Sequence, residues 1–235
     1  MDFSNNEKFA TTTTFSDFIT KVFVSLSIGL SISMIISFVM SKFLYTLAYM
    51  LGNLFTVFII GICIIELVIG FSFSSRISKM SVNECWVSYI LYSFFTGLSL
   101  STIVSVYTDA SVFYAFMVTL IVFVSMSIIG HTTKVDISKF SSLLFAGLIS
   151  IILLSVLNFF IRSSSMDYML SVAGIIIFLG LTAYDMQKLK YYYDNFSYDE
   201  ESINKVAVFG AFQLYLDFIN LFIRILQIFG RRRND

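Results

Sequence analysis

The chain has 235 residues, of which 57% are hydrophobic, 17% aromatic and only 13% charged; 15 basic and 15 acidic residues give a formal net charge of zero. That profile excludes an ordinary soluble domain and marks an integral membrane protein. With no basic block among exposed polar residues nucleic acid is not an expected partner, and two cysteines, Cys63 and Cys85, make neither a disulfide framework nor a metal site.

Residues 1–21 carry acids and no early basic-then-apolar pattern, so they read as a short N-terminal segment on the cytoplasmic side and not as a cleaved signal peptide. A hydrocarbon core of roughly 30 Å needs about 20 apolar residues in a helix, and seven segments qualify. The first, 22–41, carries Ser25, Gly29, Ser33, Ser37 and Ser41 at every fourth position, a small-residue stripe that lets another backbone approach. The second, 54–73, contains Glu66 and leads to Arg76; the third, 87–107, follows Trp86, which reads with Tyr191-Tyr192-Tyr193 as an interfacial anchor. The fourth, 112–129, ends near His131, the lone histidine, which reads as a loop residue because no cysteine or carboxylate cluster accompanies it at metal-ligand spacing. Asp136 and Ser138 are N-capping types ahead of the fifth span, 141–161, in which Asn158 is a candidate interior hydrogen-bonder. The sixth, 168–187, has Asp185 near its end, the acidic run 199–201 reads as a solvated loop, and the seventh covers 206–228. A single domain over 22–229 and a basic tail, 230–235, complete the organisation. There is no proline, so straight spans are expected.

Loops two, four and six, with the N-terminal segment, hold Lys8, Lys21, Arg76, Lys79, Lys134, Lys139, Lys188, Lys190 and Lys205, whereas the opposite side has Lys42, Arg162 and the arginine triplet 231–233. The positive-inside rule therefore favours a cytoplasmic N-terminus. The triplet itself prefers the cytoplasm, which leaves open a seventh segment that re-enters without crossing.

Ionisable groups inside a span cost about 2.5–3.5 kcal/mol on insertion scales, so each needs a reason. Gln213, Asp217, Asn220, Arg224 and Gln227 recur at spacings of 4, 3, 4 and 3, which places them on one helical face. Such a stripe, about 21 Å long, turns toward a protein interior or a water-filled path. Interhelical glue is the simpler explanation, yet Asn or Gln would serve for that without a charge to bury. Asp185 is the partner to seek for Asp217; contact requires helix overhang or stagger. If the two meet in a poorly solvated site they cannot both ionise easily, and the pair would hold one shared proton, a protonation switch between two helix arrangements. Arg76 beside them would favour ionisation.

GLSLS at 97–101, GHTTKVDIS at 130–138, FLGLTAYDMQKL at 178–189 and LYLDFINLFIRILQIFGRR at 214–232, in that order within seven spans, resemble the bacterial branch of the transmembrane Bax inhibitor motif family. The resemblance implies an all-α membrane protein in which six helices surround a central seventh. It also implies a pH-sensitive calcium leak with Asp185 and Asp217 as sensor and as candidate Ca2+ contacts. Arg76 would be associated with that sensor, and Glu66, Gln213, Asn220 and Arg224 would lie along the ion pathway. No bound cofactor is implied; Ca2+ would be the permeant ion and protons the regulator. The competing function is a membrane interaction protein that restrains a membrane protease or acts in a stress response without conducting ions. An intramembrane aspartyl protease fits poorly, because LYLD replaces the expected GxGD and no proline can build a PAL motif. No enzymatic activity is therefore expected.

Overall fold

The computed structural model of the chain describes residues 14–233, so Lys8 and most of the N-terminal segment lie outside the described residues. Seven helices are long and apolar enough to cross a membrane: α1 (Phe15–Leu51), α2 (Leu54–Arg76), α3 (Val82–Val106), α4 (Asp109–Thr132), α5 (Ser141–Ile161), α6 (Ser164–Phe196) and α7 (Glu200–Phe229). Short 3-10 turns follow α2 and precede α5. Each predicted span lies within one of these helices or overruns its end by a single residue. The chief difference is length: α1 and α6 extend well beyond their predicted spans, because hydropathy reports only the part of a helix that hydrocarbon requires to be apolar.

Polar residues set the helix ends. Ser81 and Glu84 form a reciprocal capping box at the start of α3, Thr14 and Asp17 do the same for α1, and Asp199 caps α7 by accepting from the Ser202 amide at 2.8 Å. Asp136 accepts from the Ser138 amide at 3.1 Å, as its residue type predicts, although it caps the 3-10 turn leading into α5 and not α5 directly. The Ser138 hydroxyl beside it holds the Asp136 carboxyl below its ordinary value. Asn158 staples the α5–α6 turn through Ser163 and Asp167, allowing Arg162 to adopt a left-handed backbone at φ 57°.

The small-residue stripe of α1 packs as expected. Ser25, Gly29, Ser33 and Ser37 are buried, and a Cβ at Gly29 would collide with the Tyr89 hydroxyl of α3. Reciprocally, a Cβ at Gly97 on α3 would sit 2.7 Å from Ile36 and 3.0 Å from the Ser33 carbonyl. Close backbone approach replaces the hydrophobic driving force that lipid does not supply.

α7 is the most buried helix, with 72% of its apolar window inside the protein against 6% for α2 and 11% for α5. It touches every other helix: Tyr215 meets Ser33 of α1, Phe212 meets Phe73 of α2, Tyr215 meets Tyr92 of α3, and Phe218 meets Phe123 of α4. Arg224 reaches Ser155 of α5, and Gln227 reaches Ser171 of α6. The two ends of the described chain lie on opposite faces. Phe15 stacks on His131 at the end of α4 and meets Tyr193 near the end of α6, whereas the residues after α7 pair with the α3–α4 connection through Arg233 N to the Val106 carbonyl (2.9 Å) and Thr108 N to the Arg231 carbonyl (3.0 Å). The seventh helix therefore crosses fully, and the re-entrant alternative does not apply.

Candidate functional site

Most of the polar stripe of α7 forms an antiparallel seam with α6, but it turns inward only in part: Asp217 is buried, Gln213, Asn220 and Arg224 are half-buried, and Gln227 is exposed. From the N-terminal face outward, Gln213 accepts a hydrogen bond from the Tyr192 hydroxyl at 3.0 Å, and Asp217 faces Asp185 and Thr182. Arg224 lies flat on Gly174, where an added Cβ would be 3.1 Å from its side chain, and Gln227 accepts from Ser171 at 3.0 Å. Asn220 is the exception: its amide donates to the Leu216 carbonyl of its own helix at 2.8 Å.

Asp185 and Asp217 come together at its core. Only 8% of Asp185 and 4% of Asp217 is exposed, and they are the buried acidic residues among those described. Asp217 Oδ2 is buried without a hydrogen-bond partner. That is an expensive state for an ionised oxygen and a natural one for a carboxyl that gains or loses a proton. The expected contact depends on α6 continuing to Phe196, which carries Asp185 into the interior and away from a helix end.

The expectation that Arg76 joins the pair is corrected. α2 packs chiefly on α3 and only slightly on α1. Arg76 is consequently exposed where α2 ends, with Glu84 as the carboxylate in its electrostatic reach. The cation acting on Asp185 is Lys188, one turn further along α6, whose ammonium lies 5.8 and 5.4 Å from the ring centres of Tyr184 and Tyr192.

Glu66 belongs to a separate polar group. It is half-buried between α2 and α3 and accepts from the Ser99 hydroxyl at 3.0 Å, with the Thr96 hydroxyl close by. Behind it, Tyr215 Oη and Ser33 Oγ are 2.6 Å apart, and Ser33 donates to the Ser93 carbonyl at 2.7 Å. Tyr215 is two residues before Asp217, so this hydroxyl group occupies another face of α7 from the carboxyl pair.

Two contacts, one from the α4–α5 connection and one from the end of α4, support the pair. Gln187 donates to the Val135 carbonyl and accepts from the Ile137 amide, both at 2.9 Å, clamping the α4–α5 connection onto α6 two residues past Asp185. Gly130 packs so closely on Ala183 that a Cβ there would strike the Ala183 backbone. Thus the segments around 130–138 and 182–187 form one structural unit. Thr182, Gln187, Lys188 and Tyr192 were missed from the sequence as members of the site, and Tyr192 was read as a surface anchor. Their signal was spacing: Thr182, Lys188 and Tyr192 lie three before, three after and seven after Asp185 on one helical face.

Two buried carboxyl groups that interact electrostatically can share a proton. Calcium takes 6–8 oxygen ligands. Among the described residues no group of three or more His, Cys, Asp or Glu side chains could hold a metal ion.

The family model described as inhibitor of apoptosis-promoting Bax1 matches residues 15–234. Inner membrane protein YbhL of Escherichia coli K12 is 44% identical over 178 residues, covering 75% of this chain and 76% of the relative. An uncharacterized protein of Borreliella burgdorferi is 38% identical over 218 residues, 93% of each chain. An uncharacterized membrane protein of Streptococcus pyogenes serotype M1 is 42% identical over 171 residues, 73% of each.

Proposed function

The chain belongs to the family described as inhibitor of apoptosis-promoting Bax1, and we propose that this multi-pass membrane protein is a passive calcium leak gated by protonation of Asp185 and Asp217. The observation that carries the reading is the burial of two facing carboxyl groups on different helices, one with an oxygen that has no partner. Two such groups cannot both hold charge cheaply, so the pair retains a proton that ties α6 to α7. Losing the proton leaves two like charges in contact and pushes the helices apart, which opens the packed seam. With the N-terminal face on the cytoplasmic side, as the lysine distribution favours, the pair is closer to the cytoplasm. Glu66, on the α2–α3 wall, is then a separate oxygen donor for a hard cation.

Calcium flux into vesicles containing the purified protein, measured across a pH series spanning neutrality, tests the proposal. A flux that changes with pH, and a flattened profile in both Asp185→Asn and Asp217→Asn, are expected. Flux equal to that of empty vesicles at every pH would sink the leak reading and leave restraint of a membrane partner as the function. An unchanged pH profile in both variants would remove the aspartate gate while keeping the leak.

A further inference from the structure

A cavity of about 330 Å3 lies between α1, α3, α4 and α7 on the C-terminal face of the protein. Its walls are almost wholly apolar: Leu30 and Met34 of α1, Leu100 of α3, Phe116 of α4, and Phe218 and Phe222 of α7 are representative. It has about twice the volume of the ~150 Å3 apolar cavities that admit benzene. From Asp109 to Met117, both of which line it, α4 rises about 12 Å. Its rim is lipid-facing, since Met34, Phe38, Phe113 and Met117 are all exposed.

Three features determine what fits. The cavity opens sideways among residues that face hydrocarbon, so a bilayer lipid can enter without crossing water. Ser37 lines it, is 4% exposed, and has a buried hydroxyl without any partner. Ser25, Ser27, Ser31 and Ser33 on the same helix all bond to a carbonyl four residues back, so the unmet hydroxyl of Ser37 is a local exception and not a habit of α1. Finally, basic residues lie close in the chain to its Asp109 end. Asp109 lines the cavity and its carboxylate pairs with Arg233 at 2.6 Å, while the backbone of the exposed Arg231 and Arg232 is pinned to residues 107–111 at the start of α4.

We propose that this cavity is a binding site for a phospholipid from the leaflet on the C-terminal face. One acyl chain fills the cavity, the phosphate lies against Arg231 and Arg232, and an ester carbonyl accepts from Ser37. Because Phe218 forms part of the wall and follows Asp217 directly, the occupant bears on the helix that carries the acidic pair. The site stands whether or not the protein conducts ions.

The test is lipid retention by the full-length protein. Protein is reconstituted in vesicles of phosphatidylcholine containing equal, minor amounts of phosphatidylglycerol and diacylglycerol with identical acyl chains, then extracted gently, and the lipid that stays bound is identified by native mass spectrometry. Phosphatidylglycerol is expected to be enriched over diacylglycerol by about fivefold for each arginine engaged. In Val104→Phe, which fills the cavity, both lipids should be lost. In the double variant Arg231→Gln/Arg232→Gln, retention should persist with the preference reduced to near parity. The arginines are exposed, so the double variant decides the matter even if Val104→Phe fails to fold. Equal recovery of the two lipids from the unmodified protein, or an unchanged preference in the double variant, would overturn the proposal.

Discussion

Two faces of α7, only two residues apart, solve the problem of buried polarity in opposite ways. Toward α1 and α3, Tyr215 joins Ser33 and the Ser93 carbonyl in a chain of neutral groups. Toward α6, Asp217 meets Asp185 with an oxygen unpartnered. Hydroxyls keep their hydrogen bonds at any physiological pH, so the first face fixes helix positions permanently. Carboxyls change from donor to acceptor on losing a proton, so the second holds its helices only conditionally. On the proposed reading, stability and responsiveness lie on separate faces of one helix.

The contrast predicts effects of opposite sign. Replacing both acids, Asp185→Leu with Asp217→Leu, removes buried polar groups together and should stabilise the protein by up to about 4 kcal/mol while abolishing any pH response; a lowered thermal midpoint in detergent would contradict it. Gly130→Ala drives a methyl into the Ala183 backbone beneath the pair and should cost about 1–3 kcal/mol. It should also shift the pH profile, which Gly97→Ala, at the α1–α3 contact on the hydroxyl side, should not; comparing thermal midpoints and flux profiles of the two variants checks this. Tyr215→Phe should cost about 0.6–1.5 kcal/mol, seen as a lower midpoint with the pH profile intact. If Tyr215→Phe alters that profile, the two faces are not independent.

The smallest effect is expected at the start of α7. The Ser202 hydrogen bonds hold the Asp199 carboxyl below its ordinary value. Its contribution to stability is therefore complete above the ordinary carboxylate range and is lost only as pH falls through the lower folded value. Asp199→Asn should leave the profile near neutrality unchanged and alter only the acid limb of a stability curve against pH. A change near neutrality would mean that helix capping, and not the buried pair, sets the response.

Hydropathy made the seven crossings legible, and the 3.6-residue period placed the polar residues of α7 on one face, of which only Asp217 is fully buried. Asp185 was identifiable as the partner of Asp217 because a span order fixes which helix ends share a face. What could not be read was rotation about each helix axis. Arg76 shares a membrane face with Asp185 but is exposed at the end of α2, and Tyr192 looked like one of three interfacial tyrosines although its hydroxyl points inward to Gln213. Gln187 was hidden for a different reason: its two partners are backbone atoms at 135 and 137, which carry no side-chain signature.

The clasp that joins the residues after α7 to the α3–α4 connection also bears on biogenesis. Chains emerge N-terminus first, so the six helices that α7 contacts enter the bilayer before it does. Until α7 arrives, Asp185 and Tyr192 lack their partners Asp217 and Gln213 on that helix. The hydrogen bonds of Val106 and Thr108 to residues 231–233 can form only after the whole of α7 has been threaded through. That clasp acts as a latch on completed assembly, and a chain stalled before it would present an unfilled, polar-lined core to the membrane's quality control.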